Sequence, residues 1–319
     1  MTCTYRMDDH VPFAISLEAA TVAPMGAASA SVCASVLVIL VTGCAHVAPP
    51  ASLIPSADDA LARMHATFAC GRATQASAKV DEFGDRGRVR ADMLLFTARP
   101  ARIRMDIVSP FGVALATLTS DGARFALSDL RDKRAFVGPA AACNIARLTT
   151  VPVPGHVLVD LLRGEAPVLR HASGATRISW NDRGFYSLVI AGTEGAIEVV
   201  HLVPRPDDWG RPWTDQRLRV LDVAVEQQGY ILYHAELSAH VRVSTASPRV
   251  DPDGLAPPIP PSGPVCDAEI PRRIHVEVPD PAADVRFNYE DVTWNPPLID
   301  GLFEQTSSPG MRVEFVDCP

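Results

Sequence analysis

Histidine, cysteine and paired carboxylates are the side chains with the most chemistry to offer, and their spacing constrains what this chain does. There are nine His and seven Cys. His234 and His240 lie an even number of residues apart in one extended stretch, so they share a face. No third ligand lies near them, and no CxxC pair exists, so no metal site is expected. Asp58–Asp59 and Asp207–Asp208 read as a helix start and a turn, not as acid–base dyads. The chain holds no G-x-S-x-G, H-E-x-x-H, Walker loop or dinucleotide fingerprint. We therefore expect no enzyme and no cofactor. A net charge of −8 gives no electrostatic reason to expect nucleic acid.

One cysteine stands apart. The apolar run Val36-Leu37-Val38-Ile39-Leu40-Val41 is too short for a typical spanning helix of ~20 residues but suits an export signal. It ends in Val41-Thr42-Gly43-Cys44. That pattern resembles the lipobox of bacterial lipoproteins. The resemblance implies that residues 1–43 are a signal peptide, removed by cleavage before Cys44, whose thiol carries a diacylglyceryl group. Residues 44–55 then form a Pro-bearing tether. Residue 45 is Ala, where Asp in that family favours retention in the inner membrane. The expected location is the periplasmic face of the outer membrane, held by lipid.

With Cys3 and Cys33 in the signal and Cys44 lipidated, Cys70, Cys143, Cys266 and Cys318 remain. An even number in an oxidising compartment suggests two disulfides. Proximity along the chain favours Cys70–Cys143 and Cys266–Cys318; the alternative is four buried thiols.

The elements around them are mostly strands. Ser56 caps a helix running to about Phe68, with Leu61, Met64 and Phe68 on one face. Val89, Ala91, Met93 and Leu95 alternate with Arg88, Arg90 and Asp92, and Ile103, Met105 and Ile107 with Arg102, Arg104 and Asp106, which predicts a sheet wet on one side. Further strands are expected at 113–119, 123–128, 134–137, 175–180, 184–190, 196–203, 217–226, 230–243, 272–278, 284–294 and 311–316. Short helices are expected at 139–148 and 154–163, the second with the apolar face Val157, Leu158, Leu161 and Leu162. Seven prolines between 248 and 264 forbid regular structure in 244–267, read as an insertion within one domain spanning 56–319.

The block from Ile103 to Pro167 resembles the LolA/LolB-like superfamily of periplasmic lipoprotein-binding proteins, and within it the LolB-like outer-membrane receptors. The carrying residues are an amphipathic strand leading into Ser109-Pro110-Phe111-Gly112, a strand closed by Asp121-Gly122, a short helix, and Val153-Pro154 leading into Leu161-Leu162 and Gly164. The stretches 274–278 and 285–294 look similar too. The resemblance implies a mainly β (α+β) fold: a curved, incompletely closed antiparallel barrel of about eleven strands, with short helices covering a concave face that holds acyl chains. It also implies that Phe111, between Pro and Gly, is a membrane-insertion residue. The turn chemistry agrees with an exposed tip, the alternative being a ring folded back on the sheet.

The expected function is that of a non-enzymatic, membrane-anchored receptor or carrier in lipoprotein localisation. Lipid or lipoprotein acyl chains are its ligand, a periplasmic carrier protein is a candidate partner, and the chain is expected to be a monomer. Exposing a sixteen-carbon chain to water costs on the order of 12 kcal/mol, so such cargo needs a dry container. Candidate lining residues are Met93, Leu95, Ile103, Met105, Ile107, Leu115, Leu127, Leu158 and Leu162. The alternative is a structural or interaction lipoprotein, a scaffold or sensor using 205–243 and the Pro-rich loop as its surface.

Overall fold

The computed structural model describes residues 47–84, 87–279, 282–307 and 309–318. The signal segment and Cys44 lie outside them. Helix α1 is Ala57–Phe68. The Ser56 hydroxyl accepts from the Asp59 backbone N–H at 3.1 Å, and Asp58 and Asp59 occupy the positive first turn. Strands follow: β1 (Ala73–Gly84), β2 (Gly87–Ala98), β3 (Arg102–Val108), β4 (Ala114–Ser120), β5 (Arg124–Asp129) and β6 (Arg134–Pro139). Helices α2 (Ala142–Thr149) and α3 (Gly155–Leu162) interrupt them. The second half is β7 (His171–Asn181), β8 (Phe185–Gly192), β9 (Ala196–Pro204), β10 (Leu218–Gln227), β11 (Tyr230–Ser244), β12 (Asp267–Val278) and β13 (Ala283–Trp294). A short β14 (Arg312–Phe315) ends the chain.

Among the described residues, fourteen strands form one curved sheet, in the order β14-β6-β5-β4-β3-β2-β1-β13-β12-β11-β10-β9-β8-β7. This corrects the expected barrel of about eleven strands. Two antiparallel meanders, β1–β6 and β7–β13, are joined along a β1–β13 seam, and the sheet stays open, with β14 and β7 at its edges. β14 pairs in parallel with β6, a departure from an all-antiparallel sheet.

Strand β1 was not foreseen. Its inward residues Ala76 and Ala78 are small, so the periodicity of large apolar side chains is missing although both are buried.

One face of the sheet carries the helices. Met93, Leu95, Ile103, Met105, Leu118 and Leu127 of the first meander and Leu188, Val200, Val223 and Ile274 of the second form one continuous core with α1 and α3. The other face has a second, smaller core. There the segment after β13 crosses the sheet, and Leu298, Leu302 and Phe303 pack on Ala73, Phe96 and Ala98.

Asn295 fastens the seam. Its side chain accepts from the Arg72 N–H at 2.7 Å and donates to the carbonyls of Cys70 (3.0 Å) and Pro264 (3.2 Å). The Pro-rich segment links the paired strands β11 and β12, with Val250, Leu255 and Val265 exposed along it.

Candidate functional site

The residues that alternation nominated for an acyl pocket sit mostly in the main core. Met93, Leu95, Ile103, Met105, Leu127, Leu158 and Leu162 are buried, Ile107 is partly buried against them, and Leu115 is exposed. Period two on β2 and β3 and helical spacing on α3 bring the buried ones together. The helix above them is held down at its end. The Tyr289 hydroxyl donates to the Leu162 carbonyl at 2.8 Å. Arg163, fully buried, donates to the Gly71 carbonyl at 2.9 Å and stacks over Trp294. Loss of hydration lowers the Arg163 guanidinium to about 10.

A cavity of about 870 Å³ lies elsewhere, between β4–β6 and the C-terminal segment. Its volume is that of a small-molecule site. Thr119, Ala126 and Val137 pair across the strands, on the face opposite Leu118, Leu127 and Phe136. They form the floor, while Phe303, Gln305 and Phe315 supply the walls and Asp121, Arg124 and Asp317 a polar rim. Gln305 fixes one wall by donating to the Thr117 and Ala126 carbonyls at 3.0 and 2.8 Å. Val316 fixes the other, its N–H bonding the Val137 carbonyl at 2.8 Å.

Sequence reading missed this groove because its floor belongs to the face that alternation marks as wet. The apolar cluster Leu298, Leu302 and Phe303 after Pro296-Pro297 was the signal available.

Gly138 is needed at this wall. A Cβ there would meet the Val316 carbonyl oxygen at 2.0 Å, backbone against side chain with nowhere to shift. Gly138→Ala is therefore expected to lift the tail from β6 and cost about 1–3 kcal/mol, the range for overpacking. Limited proteolysis near residues 309–317 should quicken; unchanged cleavage would show that the tail is not docked there.

The disulfides differ from the pairing favoured by nearness in sequence. Cys70 bonds Cys266 and Cys143 bonds Cys318, with Cα atoms 6.5 and 6.3 Å apart. The seam brings the residues before β1 and β12 together, and the tail runs back past α2. Cys143–Cys318 thus ties a groove wall to α2.

Phe111 stands at the β3–β4 turn, 92% exposed, with Val113 and Leu115 also exposed. Gly112, at φ +76°, lets the turn close through its N–H to the Ser109 carbonyl at 2.8 Å. His234 and His240 do not form a pair. His234 lies near Asp222 and Glu277, whereas His240 is pushed down to about 4, chiefly by burial and then by Arg219. Asp208 is buried against Arg217 at 2.7 Å, a structural pairing.

No protein-family model and no curated protein matches the chain. Solved structures do. One is a putative outer membrane lipoprotein-sorting protein domain from Vibrio parahaemolyticus, at 11% identity and TM-score 0.40, covering 78% of this chain and 95% of that one. Another is a LolA superfamily protein from Nitrosomonas europaea, at 11% and 0.46, covering 79% and 99%. A third is a DUF1329 family protein from Desulfovibrio piger, at 11% and 0.47, covering 78% and 95%. These neighbours include the superfamily that the Ile103–Pro167 block resembles. Among the described residues, no helix is long and apolar enough to cross a membrane.

Proposed function

We propose that this chain is an envelope lipoprotein, anchored through Cys44 at the outer membrane, that binds acyl chains and passes them to the bilayer through the Phe111 turn. The observation that carries the reading is Phe111 itself. A fully projecting aromatic, with Val113 and Leu115 beside it in sequence, is costly in water and fits a surface that meets lipid.

The groove between β4–β6 and the tail is the seat that energetics favour, since it exists without any opening. Of the set Met93, Leu95, Ile103, Met105, Ile107, Leu115, Leu127, Leu158 and Leu162, all but the exposed Leu115 would serve only after α2 and α3 lift. Exposing Leu158, Leu161 and Leu162 alone costs roughly 5 kcal/mol or more, at about 1.5–3 kcal/mol per side chain. A bound chain worth on the order of 12 kcal/mol would offset this, but the groove requires no such payment.

A photoactivatable sixteen-carbon fatty acid distinguishes the two seats. Labels on Thr119, Ala126 and Val137 and within 301–306 and 315–317 are expected. Labels within 93–107 and 158–162 would move the seat beneath the helices, and no labelling at all would sink acyl binding. Phe111→Asp should leave labelling intact while vesicle association drops about tenfold or more, the equivalent of one lost aromatic insertion. Equal association of both proteins would remove the delivery role from the turn.

The exposed Val250, Leu255 and Val265 favour a second reading, an interaction lipoprotein using the 244–267 segment as a partner surface. A chain shortened in that loop that loses a co-purifying protein yet keeps lipid would support it.

A further inference from the structure

On the outer face of β9–β13 the strand register assembles a grid of histidines and carboxylates that acyl binding does not use. His201 stands opposite Asp222, Asp222 opposite Glu236, Glu236 opposite His275, His234 opposite Glu277, and Glu277 opposite Asp284. Cross-strand partners point to the same side, so period two places all seven on one surface.

At the β12–β13 end three of them converge. His275 Nε2 lies 2.7 Å from Asp284 Oδ1 and 3.4 Å from Glu277 Oε1, and one ligand atom from each falls within 4.8 Å of the others. Strand β11 adds two flanking groups. Glu236 Oε2 is 3.7 Å from His275 Nδ1, and His234 Nδ1 is 3.7 Å from Glu277 Oε2. Arg286 is the local competitor, its Nε 3.7 Å from Asp284 Oδ1. A polar cavity of about 370 Å³, lined by Glu236, Ser238, Arg273, His275, Arg286 and Asn288 among others, opens beside the same imidazole.

We propose that this hairpin face is a divalent transition-metal site, Zn²⁺ by its donors, with His275, Glu277 and Asp284 as ligands. Tetrahedral zinc with N and O ligands at about 2.0–2.2 Å separates those ligand atoms by roughly 3.4 Å. The His275–Glu277 distance of 3.4 Å already matches, and the His275–Asp284 distance of 2.7 Å must open by about 0.7 Å, within reach of a rotamer adjustment. One imidazole and two carboxylates suit zinc better than calcium, which takes oxygen ligands alone. Two carboxylates neutralise the ion. The adjoining cavity leaves room for water on the fourth position, and Glu236 lies 3.7 Å from the far nitrogen of His275, on the side where an outer-shell carboxylate would stand. Rigid strands, not loops, hold all three ligands. The sequence concealed the site because a histidine two residues from one glutamate forms no metal motif until the β12–β13 register brings Asp284 beside it. The partners of the His275 imidazole come from its own strand two residues on, Glu277, and from across the hairpin, Asp284.

Titration of the chelator-stripped full chain with ZnCl₂ in a calorimeter tests this, with Co²⁺ visible absorption as a second readout. One ion per chain is expected, with tetrahedral cobalt absorption. His275→Asn should weaken binding at least about tenfold, and Arg286→Gln should tighten it by freeing Asp284. Should His275→Asn fail to fold, Asp284→Asn on the same wet face gives the same reading. No binding, several weak ions per chain, or affinity indifferent to these substitutions would overturn the site and leave a ladder of surface ion pairs. Fatty-acid labelling measured in parallel is expected to stay unchanged, so the two sites fail or stand separately.

Discussion

Cys70→Ser/Cys266→Ser is expected to lower stability by about 3–5 kcal/mol, and with it the melting temperature by roughly 6–20 °C at 2–4 °C per kcal/mol. The bond closes a loop across a sequence separation of 196 residues, and Cys143–Cys318 one across 175. Long loops lose the most denatured-state entropy when cross-linked, and both values sit at the upper end of that dependence. The first also clamps the β1–β13 seam, whose partners are more than 200 residues apart in sequence. Circular dichroism melts with and without reductant measure the effect. Identical melts would mean that the bonds add nothing. Non-reducing peptide mapping that recovers Cys70 joined to Cys143 would refute the seam pairing directly.

Glu198→Gln is expected to stabilise the protein by roughly 3 kcal/mol at pH 7 relative to its effect at pH 4.5. Glu198 is fully buried on β9; its Oε2 accepts from the Leu169 N–H at 2.8 Å, and among the described residues Oε1 has no partner. Burial raises the carboxyl from 4.5 to about 8, the backbone bond opposing it weakly. The sign follows from proton uptake. Below pH 4.5 folded and unfolded chains both hold the proton, so the group costs nothing. As pH rises, the unfolded chain releases it while the folded chain keeps it until about pH 8, so stability falls across that window. The amide does not titrate, and the loss disappears. Urea unfolding of both proteins at pH 4.5, 6 and 7.5 should show the gap widening with pH; a constant gap would mean that Glu198 ionises normally.

Much of the fold was legible because its strands alternate strongly. Ile103, Met105 and Ile107 announce β3, and Ser56 with its two acids announces α1. β1 was silent because Ala76 and Ala78 bury little, and its place in the sheet is decided by partners at both sides. The disulfides were misjudged for the same reason: what lies near Cys70 is set by the β1–β13 pairing, which no local pattern encodes. Of the candidate site, the Phe111 turn is local and was readable from Pro110 and Gly112. The groove and the β12–β13 ligands are assembled by register and by a returning tail, so residues with no common motif meet only after folding.

The two cross-links alternate along the chain, Cys70, Cys143, Cys266 and Cys318 belonging in turn to one bond and the other. Any single cut between Cys70 and Cys318 is therefore spanned by at least one of them. A protease that nicks the Pro-rich segment or the β6–β7 connection severs the backbone without releasing a fragment. Whatever holds the leading end keeps the whole body, and damage becomes visible as two pieces only after reduction.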